Sequence, residues 1–223
     1  MGRIVFILSG GPIPDPEFLR ERIASIGPAA ILCADGGARH AYGLGVIPEA
    51  IVGDMDSLDD EAARYFFDKG CRFLRHSREK DETDTELALA EALGMKPDAV
   101  WIFGALGRRL DHTLANLSLL ACEAASGFDV RLMDPFCEAF LVRDMQILEG
   151  EPGQTVSVFP LGDAAEGITL EGFEYPLDGA TMKPGKPYGV SNRLLAARGV
   201  IRVRKGALLV IRYFEAGVFP AGD

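Results

Sequence analysis

Six aspartates carry the most chemistry in this chain: Asp35, Asp54, Asp56, Asp81, Asp84 and Asp111. Each lies just after a segment that reads as a buried strand. The strings are Ala34-Asp35-Gly36-Gly37, Gly53-Asp54-Met55-Asp56-Ser57, Lys80-Asp81-Glu82-Thr83-Asp84 and Arg109-Leu110-Asp111-His112. In an open α/β sheet, ligands bind beyond the carboxyl ends of the strands. Four loops would therefore deliver carboxylates to one rim. Two unit charges about 4 Å apart at an effective dielectric near 20 interact by about 4 kcal/mol. Such a rim is costly unless a cation sits in it. Hard, oxygen-seeking Mg²⁺ suits the donor set, and it would carry a polyphosphate.

Each string also has a plainer structural reading. Gly36 and Gly37 would let backbone N–H groups approach a phosphate at a helix N-terminus; equally, Asp35 could cap a tight turn. Asp54 and Asp56 are two apart, so in extended backbone both carboxylates point one way; a solvated turn ahead of a helix near Asp59 is the alternative. Thr83 and Glu86 have capping-box spacing, which leaves Asp81 and Asp84 unexplained. Gly104–Asp111 combines glycines, a cation and an acid. Arg109 can neutralise phosphate oxygens through its planar fork. Asp111 could cap a helix, ligate a metal or orient Arg109, and His112 reads as a structural residue of the first helical turn. Ser9-Gly10-Gly11-Pro12 is a second glycine loop without the lysine of a P-loop. Far downstream, Ser191 and Asn192 offer compact donors and acceptors for a neutral heteroaromatic ring, or simply form a turn.

The elements that must position these groups change character along the chain. Over 1–134, short apolar runs (Arg3–Ser9, Ala29–Cys33, Ala50–Val52, Cys71–Leu74, Ala99–Phe103, Val130–Met133) alternate with helical patterns (Pro16–Ser25, Ala38–Gly43, Asp59–Lys69, Asp84–Leu93, Asp111–Ala125). That alternation predicts an α/β domain with a mostly parallel, Rossmann-like sheet covered on both faces. Over 135–223 no long amphipathic helix is found. Short strand-like runs punctuated by Gly and Pro predict an all-β sandwich, with Lys205-Gly206 as a hairpin turn.

The chain has 223 residues, 48% hydrophobic, and a net charge of −10. The first 134 residues hold 22 acidic and 14 basic side chains. An acidic chain without a basic stripe is a poor nucleic-acid binder. No apolar run reaches the ~18 residues of a membrane span. The four cysteines form no Cys-x-x-Cys pair, which argues against zinc and for a reduced, cytoplasmic setting. The N-terminal residues lack the basic region and cleavage site of a signal peptide.

Taken together and in order, Ala34–Gly37, Ile51–Ser57, Lys80–Asp84, Gly104–His112 and Gly189–Asn192 resemble the thiamine pyrophosphokinase family. The resemblance covers nearly the whole chain. It implies transfer of diphosphate from ATP to the hydroxyethyl group of thiamine, an N-terminal α/β catalytic domain, a C-terminal β-sandwich for thiamine binding and dimerisation, Mg²⁺, and a homodimer with shared active sites. Carried over by position, Asp54, Asp56 and Asp84 resemble the metal and catalytic residues, with Arg109 as a catalytic cation. Asp35, Gly36, Gly37, Asp81, Thr83, Arg109 and Asp111 resemble ATP-side positions. Ser191, Asn192 and, more loosely, Tyr175 resemble thiamine-side positions. Arg108 stands where the family often has Gly, and Arg193 where it often has an acid. A diphosphokinase for another alcohol, such as a hydroxymethylpterin, and a nucleotide sensor without turnover are the alternatives.

Overall fold

The computed structural model describes residues 2–107 and 109–216; the departure noted at Arg108 lies outside them. The chain forms two compact units, Met1–Pro135 and Phe136–Asp223.

The first unit alternates strand and helix: β1 (Ile4–Leu8), α1 (Pro16–Ile26), β2 (Ala30–Ala34), α2 (Ala38–Leu44), β3 (Ala50–Gly53), α3 (Asp60–Asp68), β4 (Arg72–Arg75), α4 (Asp84–Gly94), β5 (Ala99–Phe103), α5 (Leu110–Leu119) and β6 (Asp129–Met133). All strand pairs are parallel, in the order β4-β3-β2-β1-β5-β6. This is the α/β sheet that the alternating pattern predicts. Strands β2 and β3 are buried throughout, as near-continuous apolar runs in a doubly covered sheet must be. Edge strand β4 reads Arg-Phe-Leu-Arg, and its Arg72 pairs with Glu49 at 3.0 Å and Glu91 at 3.2 Å. Charged side chains discourage pairing at an open edge.

Helix starts follow local chemistry. Asp15 caps α1 through the Glu17 and Phe18 amides, with Pro16 at the first position. Asp59 caps α3 through the Ala62 amide at 2.8 Å. One helix is shorter than its pattern. The expected helix over Asp111–Ala125 ends at Leu119, and Cys122 is extended before a 3-10 turn at Glu123–Ala125. Leu119, Leu120 and Ala125 are all buried, and the break serves that burial better than continued helix; packing overrides propensity.

The second unit holds β7 (Cys137–Val142), β8 (Met145–Glu149), β9 (Gln154–Pro160), β10 (Ala165–Glu171), β11 (Leu177–Met182), β12 (Asn192–Arg193), β13 (Arg198–Arg202) and β14 (Leu208–Ala216). Two antiparallel sheets form, β12-β9-β14-β7 and β11-β10-β13-β8. Phe140, Val156, Val158, Ile168, Phe173, Ile201 and Val210 build one core, the expected sandwich. The Lys205-Gly206 hairpin is corrected: β13 and β14 belong to different sheets, so this turn crosses between them. Val203 and Leu208 on its two sides are both buried, and the Lys205 carbonyl accepts from the Glu166 amide at 2.9 Å instead. Edge strand β11 is half-exposed and holds Asp178 and Gly179, so it shows no apolar alternation.

Candidate active site

A cleft of about 560 Å³ opens at the carboxyl ends of β1 to β5. The strand order reverses between β1 and β5, which is where open α/β sheets leave a crevice. The two loops that flank the reversal are tied together: the Ser9 amide donates to the Phe103 carbonyl at 2.8 Å and the Gly11 amide to the Gly104 carbonyl at 3.0 Å. Ser9 Oγ meets Thr85 Oγ1 at 2.9 Å, and His40 Nε2 meets the Gly11 carbonyl at 2.8 Å. Burial holds the His40 imidazole below the usual histidine range, and neighbouring Arg39 adds to that. Asn116 donates to the Ala105 carbonyl at 2.7 Å and secures the loop after β5.

The aspartates divide by what they touch. One ligand oxygen each from Asp35, Asp54 and Asp56 lies within 4.8 Å of the others. Asp35 is 7% exposed, and its Oδ1 has no hydrogen-bond partner. It does not cap α2, whose first turn lacks a side-chain cap. A buried, unpartnered carboxylate oxygen on a residue clustered with two other carboxylates suits a hard cation bound by oxygen ligands. Asp54 and Asp56 do not converge through extended backbone as expected. Met55 between them is left-handed, at φ 68°, and Asp54 Oδ1 accepts from the Asp56 amide at 3.0 Å. Asp35 at φ 36° and Ser191 at φ 57° share this costly region. Non-glycine residues persist there when their surroundings over-determine them, often at functional sites.

Asp84 opens α4, and its Oδ1 pairs with Lys80 Nζ at 2.7 Å. Gly53 makes its closeness to Asp35 possible. A Cβ on Gly53 would stand 2.9 Å from Asp35 Cβ and 3.0 Å from Asp84 Oδ1. Gly37 has a packing role, since a Cβ there would overlap the Leu8 carbonyl; Gly36 lines the cleft beside Arg39. Thr83 also lines it and caps α4 through the Glu86 amide at 3.1 Å. Asp81 is exposed and is not among the lining residues.

Of the three roles open to Asp111, the geometry shows the orienting one. Its carboxylate takes the Arg109 fork, with Nε at 3.2 Å and an Nη at 2.5 Å. That pairing holds the Asp111 carboxyl down at about 2. Arg39, Arg78 and Lys80 also line the cleft, and sequence reasoning did not single them out. The signal for Lys80 was its place directly before Asp81; Arg39 and Arg78 carry no comparable mark.

In the second unit, Ser191 is exposed and its amide donates to Ser157 Oγ at 3.0 Å. Asn192 is buried, and its side chain bonds the backbone of Tyr175. The Tyr175 ring is 63% exposed. Arg193 approaches Glu174 at 4.0 Å.

An α/β unit with an acidic rim at its topological switch point, followed by a β-sandwich, defines a class of two-part α/β and all-β proteins with a cleft at the sheet's carboxyl edge. Residues 28–132 match the family described as thiamin pyrophosphokinase, catalytic domain, and residues 144–208 match thiamin pyrophosphokinase, vitamin B1 binding domain. A thiamine pyrophosphokinase of Bacillus subtilis (strain 168) is 32% identical over 216 residues, covering 94% of this chain and 98% of that protein. A crystal structure of thiamine pyrophosphokinase from Bacillus subtilis has a TM-score of 0.82 at 28% identity, over 96% of this chain and 100% of that one. Thiamin pyrophosphokinase from Candida albicans has the same fold, with a TM-score of 0.82 at 16% identity over 96% and 90% of the two chains. The chain belongs to the thiamine pyrophosphokinase family.

Proposed function

We propose that this chain transfers the terminal diphosphoryl group of ATP to the hydroxyl of thiamine, giving thiamine diphosphate and AMP. The observation that carries this reading is the convergence of Asp35, Asp54 and Asp56 within 4.8 Å, with Asp35 and Asp54 lining a cleft that also holds Arg39, Lys80 and Arg109. The thiamine oxygen forms a bond to the β-phosphorus, the bond from that phosphorus to the AMP oxygen breaks, and the hydroxyl proton is lost.

Of the expected metal set, Asp54 and Asp56 would hold Mg²⁺ together with Asp35, which clusters with them, and Asp84, paired with Lys80, would stand beside them. Bound there, Mg²⁺ neutralises charge on the phosphate oxygens. The protein's own share is positioning and charge balance. The Arg109 guanidinium, held by Asp111 through Nε and one Nη, would offer its remaining N–H donors to phosphate oxygens, and the loop at Asp35–Gly37 would approach them. Thr83 holds the start of α4, so that Asp84 keeps its place. A carboxylate of the rim accepts the proton late.

Thiamine recognition is assigned to Ser191, Asn192 and Tyr175, with Tyr175 supplying an exposed ring and Asn192 fixing its backbone. The same reading carries a homodimer with shared active sites and a cytoplasmic setting. Among the described residues, no helix is long and apolar enough to cross a membrane.

The test is AMP release from ATP and Mg²⁺ with thiamine or a hydroxymethylpterin as acceptor. AMP formation that depends on thiamine supports the reading. Turnover with the pterin alone, or binding without turnover, overturns it.

A further inference from the structure

We propose that Lys80 is an exchangeable counter-cation of the acidic rim. In the nucleotide-free chain its ammonium neutralises Asp84; with nucleotide bound it contacts the polyphosphate. The inference rests on the reading of the cleft as an ATP site.

Lys80 differs from the other cations of the cleft. Its side chain is 13% exposed, whereas that of Arg78 is 82% exposed. The Arg109 fork is already engaged by Asp111. An ammonium group is rarely taken out of water without a paired charge. Its partner here is Asp84 Oδ1, at 2.7 Å. That oxygen and Asp35 Cβ both lie within 3.0 Å of the point that a Cβ on Gly53 would occupy. The ammonium is therefore one carboxylate removed from the Asp35, Asp54 and Asp56 cluster.

The pair straddles the start of α4. Thr83 is the cap, Asp84 the first helical residue, and Lys80 belongs to the preceding loop. Helical spacing does not hold the two together, so the lysine is free to rotate without unwinding a turn. Lysine is a compact charge with three donors on a flexible stem, and it can trade a carboxylate for a phosphate oxygen.

The consequence is a pair of opposite effects. Removing the ammonium uncovers negative charge, so a bare divalent cation binds more tightly. It also removes a polyphosphate contact, so nucleotide binds more weakly. A lysine that only braced the loop would weaken both.

The experiment measures Mn²⁺ binding to the nucleotide-free protein by electron paramagnetic resonance. It also measures binding of a non-hydrolysable ATP analogue in EDTA by calorimetry. Wild type, Lys80→Met and Lys80→Arg are compared, with Lys80→Gln as a second neutral variant should methionine disturb folding. For the neutral variant the expectation is about tenfold tighter Mn²⁺ and about tenfold weaker analogue, from the loss of one nearby charge. Lys80→Arg should stay within about threefold of wild type on both, since it retains the charge. Unchanged affinities, or both weakened together, would overturn the proposal. A wild-type protein that binds Mn²⁺ and analogue but releases no AMP with thiamine would overturn the proposed function and leave the Lys80 result standing.

Discussion

The Asn192 side chain clasps the backbone of Tyr175: its Oδ1 accepts from the Tyr175 amide at 3.0 Å, and its Nδ2 donates to the Tyr175 carbonyl at 2.8 Å. The same Oδ1 accepts from the Arg193 amide at 2.9 Å. Asn192 is 5% exposed, so these bonds are made out of water, where leaving a partner unpaired costs about 1–3 kcal/mol. Asn192→Ala should lower stability by about that amount and raise the KM for thiamine. Tyr175→Ala should raise the KM with little change in stability, because its ring is exposed. Denaturant unfolding and initial rates separate the two. A KM unmoved by either substitution would remove Tyr175 from the thiamine site.

Asp35→Asn should separate function from stability. The carboxylate is buried, its Oδ1 is unpartnered, and it crowds Asp54 and Asp56. Without metal, losing one charge relieves repulsion, so Tm should hold or rise. AMP formation should fall by about 100-fold or more, and the Tm gain from Mg²⁺ with an ATP analogue should shrink. Asp54→Asn should behave alike. Near-normal turnover by either variant at saturating Mg²⁺ would contradict the assignment.

Arg109→Lys should lose most of what Arg109→Ala loses. Lysine keeps the charge but cannot hold Asp111 through two parallel donors while offering others to phosphate. The Asp111 carboxyl is held at about 2 by Arg109. A depressed carboxyl favours the folded chain above the ordinary carboxylate range, and that contribution is lost as pH falls through about 2. The pair therefore stays intact across neutral pH. A carbon-13 titration of the Asp111 carboxyl should show this, and Arg109→Ala should return the midpoint to the ordinary range.

His40 gives a pH dependence of the same sign in a different window. Burial lowers its imidazole below 6.5 in the folded chain. Between that lowered value and 6.5 the unfolded chain binds more protons, so stability is full above 6.5 and falls as pH drops through the folded value. Tm measured from pH 8 to pH 5 should decline less steeply in His40→Gln than in wild type. Parallel curves would show that His40 contributes no such dependence.

Hydrophobic pattern and loop chemistry determined much of this protein. The buried strings Ala30–Ala34 and Ala50–Gly53, with polar helices between them, leave little choice but a doubly covered parallel sheet. Its topology then sends Asp35, Asp54 and Asp84 towards one rim, because side chains just past parallel strands share an edge. Short strands punctuated by Gly and Pro likewise specify a β-sandwich. These are local signals, and they read directly.

Tertiary structure decided what no local string contains. Val203 and Leu208 flank a turn that looks like a hairpin, yet burying both in one core carries the chain between sheets. The helix expected to run through Ala125 stops at Leu119, because Leu120 and Ala125 are buried. Above all, the balance of charge on the rim depends on through-space neighbours. Lys80 takes Asp84, Arg109 takes Asp111, and Asp35 keeps one buried oxygen unpartnered beside Asp54 and Asp56. Coulomb energy follows separation in space and local burial. Spacing along the chain fixes neither of these once loops from several strands converge.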